Sequence, residues 1–399
     1  MFGFGRCCAR IGNSALANSP DSKASLCCDV LGHTCDSYRG ISGVKCGENP
    51  LALGMEELLA RCNRLYERLQ KLRPIPPEQR KRVMQKLRIE WNYHSNKMEG
   101  NSLTYGETKA LIFENRTANA KPYQDHTEVL GHDSAVKWLE ELTLENRPIT
   151  EQFIRELHKL VFKEHREIHE LKNGIPTVRR LKVGQYKSSP NHTKTPTGET
   201  RYFASPEETP SKMADLIDWY REQMSHGEHP ILLAVKFHHR FVRIHPFDDG
   251  NGRCARLLMN FILMRAKYPP IIIREQDKKL YLSALNVADA DNLEPLTVFI
   301  LEQAAVSLEL MVRAAKGEDI SEEEDLEKEL RLVEAKFKEA KGEAVFRSPE
   351  VIKSTFKSYI APLINEMVAQ QRRFSRFYRH WYLLLQGSEM LESEDVPRE

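Results

Sequence analysis

A glycine-rich break between two apolar helical runs constrains this chain more than any other feature. The run from Pro230 to Val242 leads into His245-Pro-Phe-Asp-Asp-Gly-Asn-Gly-Arg-Cys-Ala-Arg256. Gly250, Asn251 and Gly252 then come directly before Leu257, Leu258, Phe261 and Ile262, whose spacing is that of one buried helical face. The glycines therefore form a turn at a helix N-terminus. Amides left unpaired there, with the positive end of the helix dipole, offer a site for phosphate. Arg253 and Arg256 are three residues apart, so the spacing predicts both guanidinium forks on one face, aimed at the same anion. His245 and Asp249 lie on the loop just before it, so a base, an acid, an anion cradle and paired cations share one dozen residues.

Length and composition set the frame for that turn. The 399 residues suit two or three domains, and 41% hydrophobic content allows sizeable cores. A formal charge of +2, from 59 basic and 57 acidic residues, argues neither for a nucleic-acid footprint nor for a dedicated membrane surface. No apolar run is read as approaching the ~18 residues of a transmembrane helix, so no membrane is expected. Six of the eight cysteines precede residue 50, leaving Cys62 and Cys254. The remainder therefore reads as cytoplasmic, without a disulfide framework. Residues 1–50 lack sustained periodicity and read as a disordered extension. A zinc site from Cys27, Cys28, Cys35 and Cys46 would lack a CxxC pair, and no apolar core suggests a secretory signal.

From Met55 the chain reads as a series of helices. Leu58, Leu59, Cys62, Leu65, Tyr66, Leu69 and Leu72 follow helical spacing up to the prolines at 74, 76 and 77. Val83, Leu87, Trp91, His94 and Met98 mark a second helix of about 20 residues, stopped by Gly100. Glu99 at its end faces the negative pole of the dipole, which costs roughly 0.3–1 kcal/mol unless a cation meets it. Thr104 and Glu107 form a capping box for a helix to about Asn115. Further helices are expected near 125–142, 150–165, 211–224, 277–287 and 295–315. Val183–Lys187 and Thr200–Phe203 are strand-like and are joined by a turn-rich stretch, so an irregular β-hairpin is expected there.

The dozen residues from His245 match the motif of the Fic family, His-x-Phe-x-Asp/Glu-Gly-Asn-Gly-Arg-x-x-Arg, at every specified position. The resemblance covers roughly residues 78–316 and implies a mainly α fold, a helical bundle with a small β-hairpin called the flap. The parts are then 1–50, an extension; 51–77, a helix and Pro-rich linker; 78–316, the core with an inhibitory helix at 78–99; and 317–399, a helical C-terminal extension. The implied activity is protein adenylyltransfer: AMP passes from ATP to a Ser, Thr or Tyr hydroxyl of a target protein, and pyrophosphate leaves.

Residue roles follow from the same resemblance. His245 resembles the general base, a task that suits a neutral imidazole titrating near pH 7. Phe247 is expected to be buried. Asp249 resembles the Mg²⁺ ligand, consistent with that metal's use of one or two carboxylates plus phosphate oxygens. Gly250, Asn251 and Gly252 would hold the α- and β-phosphates, and Arg253 and Arg256 the β- and γ-phosphates. Upstream, Ser95-Asn-Lys-Met-Glu99-Gly100-Asn101 resembles the family's inhibitory motif, in which the glutamate pairs with the second arginine, here Arg256. Asn191, His192 and Thr193 are placed in the flap, which would pin the target segment by strand addition.

Several other features carry weaker readings. Tyr186 and Tyr202 could neighbour adenine, although packing accounts for them as well. His238 and His239 lack the spacing of a metal pair. Cys254 reads as core. An acidic stretch at 318–325 marks a linker, and Leu326, Leu330, Val333 and Phe337, then Val351, Ile352, Phe356, Ile360 and Leu363, follow helical periods. The basic and aromatic end from Arg372 to Tyr382 would suit single-stranded nucleic acid; a docking helix or homodimer surface is the preferred reading. The chain itself is a further acceptor to consider. Alternatives to the main activity are AMP removal, transfer of another phosphate-containing group, and a non-enzymatic interaction module.

Overall fold

The structure is a computed structural model that describes residues 54–145, 147–162, 167–172, 175–194, 200–321 and 348–372. The cysteine-rich start, the helical period at 326–337 and the basic and aromatic end beyond Arg372 lie outside the described residues. Helix α1, Met55–Lys71, buries Leu58, Cys62, Leu65 and Leu69. It packs on α10, Glu294–Ala315, where the Cys62 thiol donates to the Leu301 carbonyl at 3.3 Å. These residues join the same apolar core as the rest of the bundle, so the division drawn at residue 77 separates nothing in packing.

Helix α2, Pro77–Met98, buries Val83, Leu87, Trp91, His94, Ser95 and Met98. Helix α3, Tyr105–Glu114, opens with both bonds of the capping box, Glu107 N–H to Thr104 Oγ1 at 3.3 Å and Thr104 N–H to Glu107 Oε2 at 2.7 Å. Helices α4, Tyr123–Leu142, and α5, Glu151–Val161, follow, the second capped by the Thr150 hydroxyl. Then come α6, Thr209–Ser225; α7, Pro230–Ile244; α8, Asn251–Arg265; a single 3₁₀ turn, Glu275–Asp277; and α9, Lys278–Asp289. Helix α8 is central, with Leu257, Leu258, Phe261 and Ile262 all buried. Each such side chain contributes roughly 1.5–3 kcal/mol. The C-terminal segment runs through α11, Pro349–Thr355, a π turn, Phe356–Ile360, and α12, Ala361–Arg372, and leaves Ile352, Phe356 and Leu363 exposed.

Four expectations need correction. Helix α5 stops at Val161, and an antiparallel hairpin follows that was not anticipated, β1, Glu167–Lys172, with β2, Ile175–Arg180, Glu167 opposite Arg180. Val183–Lys187 is a turn instead of a strand, because its amides bond elsewhere: Gly184 N–H donates to His158 Nδ1 and Lys187 N–H to the Pro246 carbonyl. The flap strands are shorter than expected, β3, Thr193–Lys194, paired with β4, Thr200–Arg201. Finally, α10 is long and apolar enough to cross a membrane by length and composition, but 67% of that stretch is buried in the bundle.

Candidate active site

The motif loop is built by two abrupt helix ends. Helix α7 stops at His245, which takes a left-handed conformation (φ 51°, ψ 58°). Helix α8 starts after Gly250, also left-handed (φ 78°). Between them Phe247 is fully buried and stacks on the His158 ring at 3.9 Å between centroids. Asn251 closes this loop on itself. Its Oδ1 accepts from Phe247 N–H at 2.9 Å, and its Nδ2 donates to the Phe247 carbonyl at 2.7 Å. The Asn251 side chain was expected to hold phosphate; it shapes the loop instead, pairing the N–H of the plugged Phe247 and sharing its carbonyl with Asn191.

His245 is held in one tautomer. Its Nδ1–H donates to the Val242 carbonyl at 3.3 Å, which leaves the Nε2 lone pair to accept a proton. Its ring stacks on Phe203 at 4.0 Å and 11°. Burial, then the charges of Lys187 and Arg201, push the imidazole down to about 4 against the opposing pull of Glu99 and the Val242 carbonyl. The expected titration near neutrality is therefore corrected: the ring is already neutral at pH 7. His158, beneath the loop, is fully buried and likewise lowered to about 4, chiefly by burial. It accepts at Nδ1 from Gly184 N–H and donates from Nε2 to the Asp249 carbonyl at 3.0 Å.

The two arginines do not share one target. Arg253 is 2% exposed, lies 3.5 Å from Glu128 and 3.9 Å from Asp249, and sits over the Phe162 ring. Among the described residues its Nε and Nη1 have no hydrogen-bond acceptor. Buried guanidinium N–H groups without acceptors carry a desolvation cost that an arriving anion would offset. Arg256 is turned onto α2. Its Nε donates to Ser95 Oγ at 3.1 Å, and its Nη2 to the Ser95 carbonyl at 2.9 Å and to Glu99 Oε1 at 2.7 Å.

Glu99 reaches that position because α2 ends directly beneath it. Gly100 is left-handed (φ 94°), its N–H bonds to the Lys97 carbonyl at 3.0 Å, and Asn101 N–H bonds to the Asn96 carbonyl at 3.2 Å. This is a Schellman closure with Glu99 as C-cap. Asn101 Nδ2 adds a bond to the Asp125 carbonyl. Lys278 caps the Met98 carbonyl at 2.6 Å, supplying a cation at the negative pole. Burial alone would raise the Glu99 carboxyl, but Arg256, Arg253 and Lys278 together hold it below the usual range. The carboxylate, about a third exposed (34%), lies over Gly252, where a Cβ would come within 2.5 Å of Glu99 Oε1.

The remaining sequence candidates scatter. Asn191 reaches the motif loop through its side chain, and His192 Nδ1 accepts from Phe203 N–H at 3.2 Å. The Thr193 backbone pairs opposite Arg201. Tyr186 bonds Glu151 and packs under Arg155, a structural role; Tyr202 is exposed. His238 Nε2 pairs with the Tyr281 hydroxyl, His239 with Asp289, and Cys254 is core. Among the described residues no group of three or more His, Cys, Asp or Glu could hold a metal. The Asp249 carboxylate, 38% exposed, accepts from Gly250 N–H at 2.6 Å. Sequence reasoning missed His158, Glu128 and Lys187. Each lies 58 to 125 residues from Arg253 or His245 along the chain, and the only local signal was a polar residue on an apolar helix face at His158.

Residues 148–263 match the Fic/DOC family. A Fic-domain-containing signalling protein from Bacteroides thetaiotaomicron is 38% identical, with a TM-score of 0.60, over 66% of this chain and 99% of that one. Fic-1 from C. elegans aligns at 27% identity and a TM-score of 0.53, over 65% of this chain and 73% of that one. The protein adenylyltransferase Fic of Nematostella vectensis is 35% identical over 227 residues, 55% of this chain and 48% of its own. This chain spans about half the length of the curated relatives it matches. The Bacteroides protein is covered almost completely at 38% identity, the Fic/DOC match over residues 148–263 contains the whole motif turn, and on that ground the chain belongs to the Fic/DOC family.

Proposed function

We propose that the chain is a protein adenylyltransferase whose nucleotide site is restrained by Glu99. The observation that carries this reading is the α8 N-terminus, where two arginines and the first helical amides meet beside a neutral His245 and a carboxylate already rests as an anion. ATP fits there through the amides of Gly250, Asn251 and Gly252, the unaccepted N–H groups of Arg253, and Arg256 once it releases Glu99. His245 Nε2 takes the proton of a target Ser, Thr or Tyr hydroxyl. The hydroxyl oxygen bonds the α-phosphorus, and the bond from that phosphorus to the bridging oxygen breaks to release pyrophosphate.

The donor set suits Mg²⁺ only in combination with substrate phosphates, since Asp249 is the motif's carboxylate for it and no group of three or more His, Cys, Asp or Glu converges among the described residues. Mg²⁺ when bound would neutralise charge on the phosphate oxygens. While Glu99 holds Arg256, the second fork is withheld from the nucleotide. A protein segment docking on the flap is the acceptor that this reading requires. The test uses the full chain carrying Glu99→Gly, with ATP labelled at the α- or γ-phosphate and cell lysate as acceptor. Label retained on protein only from the α position supports AMP transfer, whereas retention only from the γ position overturns it.

A further inference from the structure

Lys187, which belongs to no motif, lies 3% exposed beneath the loop that carries His245. Four consecutive loop carbonyls are held from its short segment. Ile244 O accepts from Lys187 Nζ at 3.1 Å, and Pro246 O from Lys187 N–H at 2.8 Å. The carbonyls of His245 and Phe247 accept from Asn191 Nδ2 at 3.2 and 2.7 Å. The two donors act as one clip, because Lys187 Nζ also donates to Asn191 Oδ1 at 2.8 Å and so orients the amide. A neutral donor could bond Ile244 without the expense of burying an ammonium group. The presence of a charge there therefore points to an electrostatic task.

We propose that Lys187 is a positioning residue for His245: with Asn191 it fixes the loop's carbonyls, and its charge opposes protonation of the neighbouring imidazole. Among the described residues, the charges that bear most on His245 are Lys187 below the loop, Arg201 on β4 and Glu99 at the end of α2. Lys187 and Arg201 disfavour the imidazolium and Glu99 favours it. Lys187 is itself lowered to about 8, mainly by burial and against the pull of Asp248 and Glu208. It therefore remains charged throughout the range in which His245 titrates. This inference rests on the reading of His245 as the base, although its first readout does not depend on catalysis.

The test follows the His245 ring by NMR titration in the full chain. In the unaltered protein His245 should titrate near 4; an ordinary value near 6.5 overturns the proposal whether or not any variant folds. Lys187→Met removes a like charge, so the His245 pKa should rise by about one unit. Lys187→Arg, which keeps the charge, should leave it near the original value. A folded Lys187→Met protein with unchanged His245 titration also overturns the proposal. In the Glu99→Gly background the acid limb of α-phosphate labelling should move upward with Lys187→Met; a purely structural role would lower the rate without moving that limb. If the NMR shifts occur and no labelling is seen at any pH, the adenylyltransfer reading fails and the electrostatic role of Lys187 stands.

Discussion

Two helix ends face each other across the site and are finished in opposite ways. The C-terminus of α2 is closed: Gly100 and Asn101 return their amides to Lys97 and Asn96, and Lys278 covers the Met98 carbonyl. The N-terminus of α8 is open: Gly250 offers no capping side chain, and the first amides have no intrahelical partner. A closed end can present a single side chain in a fixed place, while an open end can accept a ligand. Glu99 joins the two, placing a carboxylate over Gly252 and 2.7 Å from Arg256 Nη2. The Glu99–Arg256 contact thus sets a carboxylate beside an open helix end of the kind that suits an anion.

The largest expected effect tests the open end. In a Glu99→Gly background, His245→Ala should lower α-phosphate labelling by about 10²–10⁴-fold, measured by radiolabel on gels. Residual labelling at the parent level would remove His245 from the mechanism. Next, Glu99→Gly alone breaks one charged hydrogen bond worth about 1.5–3 kcal/mol, so labelling should rise roughly 10- to 150-fold. No change in rate would show that the two ends meet without regulating each other.

Smaller effects probe how the closed end is held. Gly100→Ala places a Cβ on a left-handed residue, so thermal unfolding should report a loss of about 1 kcal/mol or more. Labelling should rise as well, because Glu99 loses its fixed support. Retained inhibition in a destabilised protein would mean that Glu99 finds Arg256 without the Schellman closure. Ser95→Ala removes the acceptor for Arg256 Nε but keeps the Ser95 carbonyl and Glu99. One such bond contributes about 0.5–1.5 kcal/mol, so a rise of a few-fold is expected in the same assay. A rise as large as that of Glu99→Gly would shift the main restraint from the carboxylate to the hydroxyl.

Legibility in the sequence followed the range of the interactions. Pro77 at a helix start, the Thr104 and Glu107 capping box and Gly100 at a helix end act within a few residues, and the helices begin and stop close to where these signals lie. The β1–β2 hairpin was missed because neither Glu167–Lys172 nor Ile175–Arg180 alternates apolar and polar residues strictly, while the period of α5 was read on to residue 165. Val183–Lys187 looked like a strand by composition, yet its amides found His158 and Pro246. Asn251 was assigned to phosphate and Asn191 to the flap, yet both amides bond the motif loop's backbone, since an amide's partners are set by whichever backbone groups are left buried nearby.

The residue spacing around Gly250 already specified a helix start with an anion-binding end, because amide geometry and dipole are local properties of the backbone. It could also nominate Glu99 and Arg256 as partners through resemblance. That they touch, and that Arg256 turns away from Arg253 to do so, was decided only when α2 packed beside α8 across 157 residues of chain. The proton-accepting state of His245 was decided in the same way. It depends on burial and on Lys187 and Arg201, which the fold brings to the ring from 58 and 44 residues away. Electrostatic energies depend on distance through space and on exclusion of water, and neither quantity exists until the core has closed.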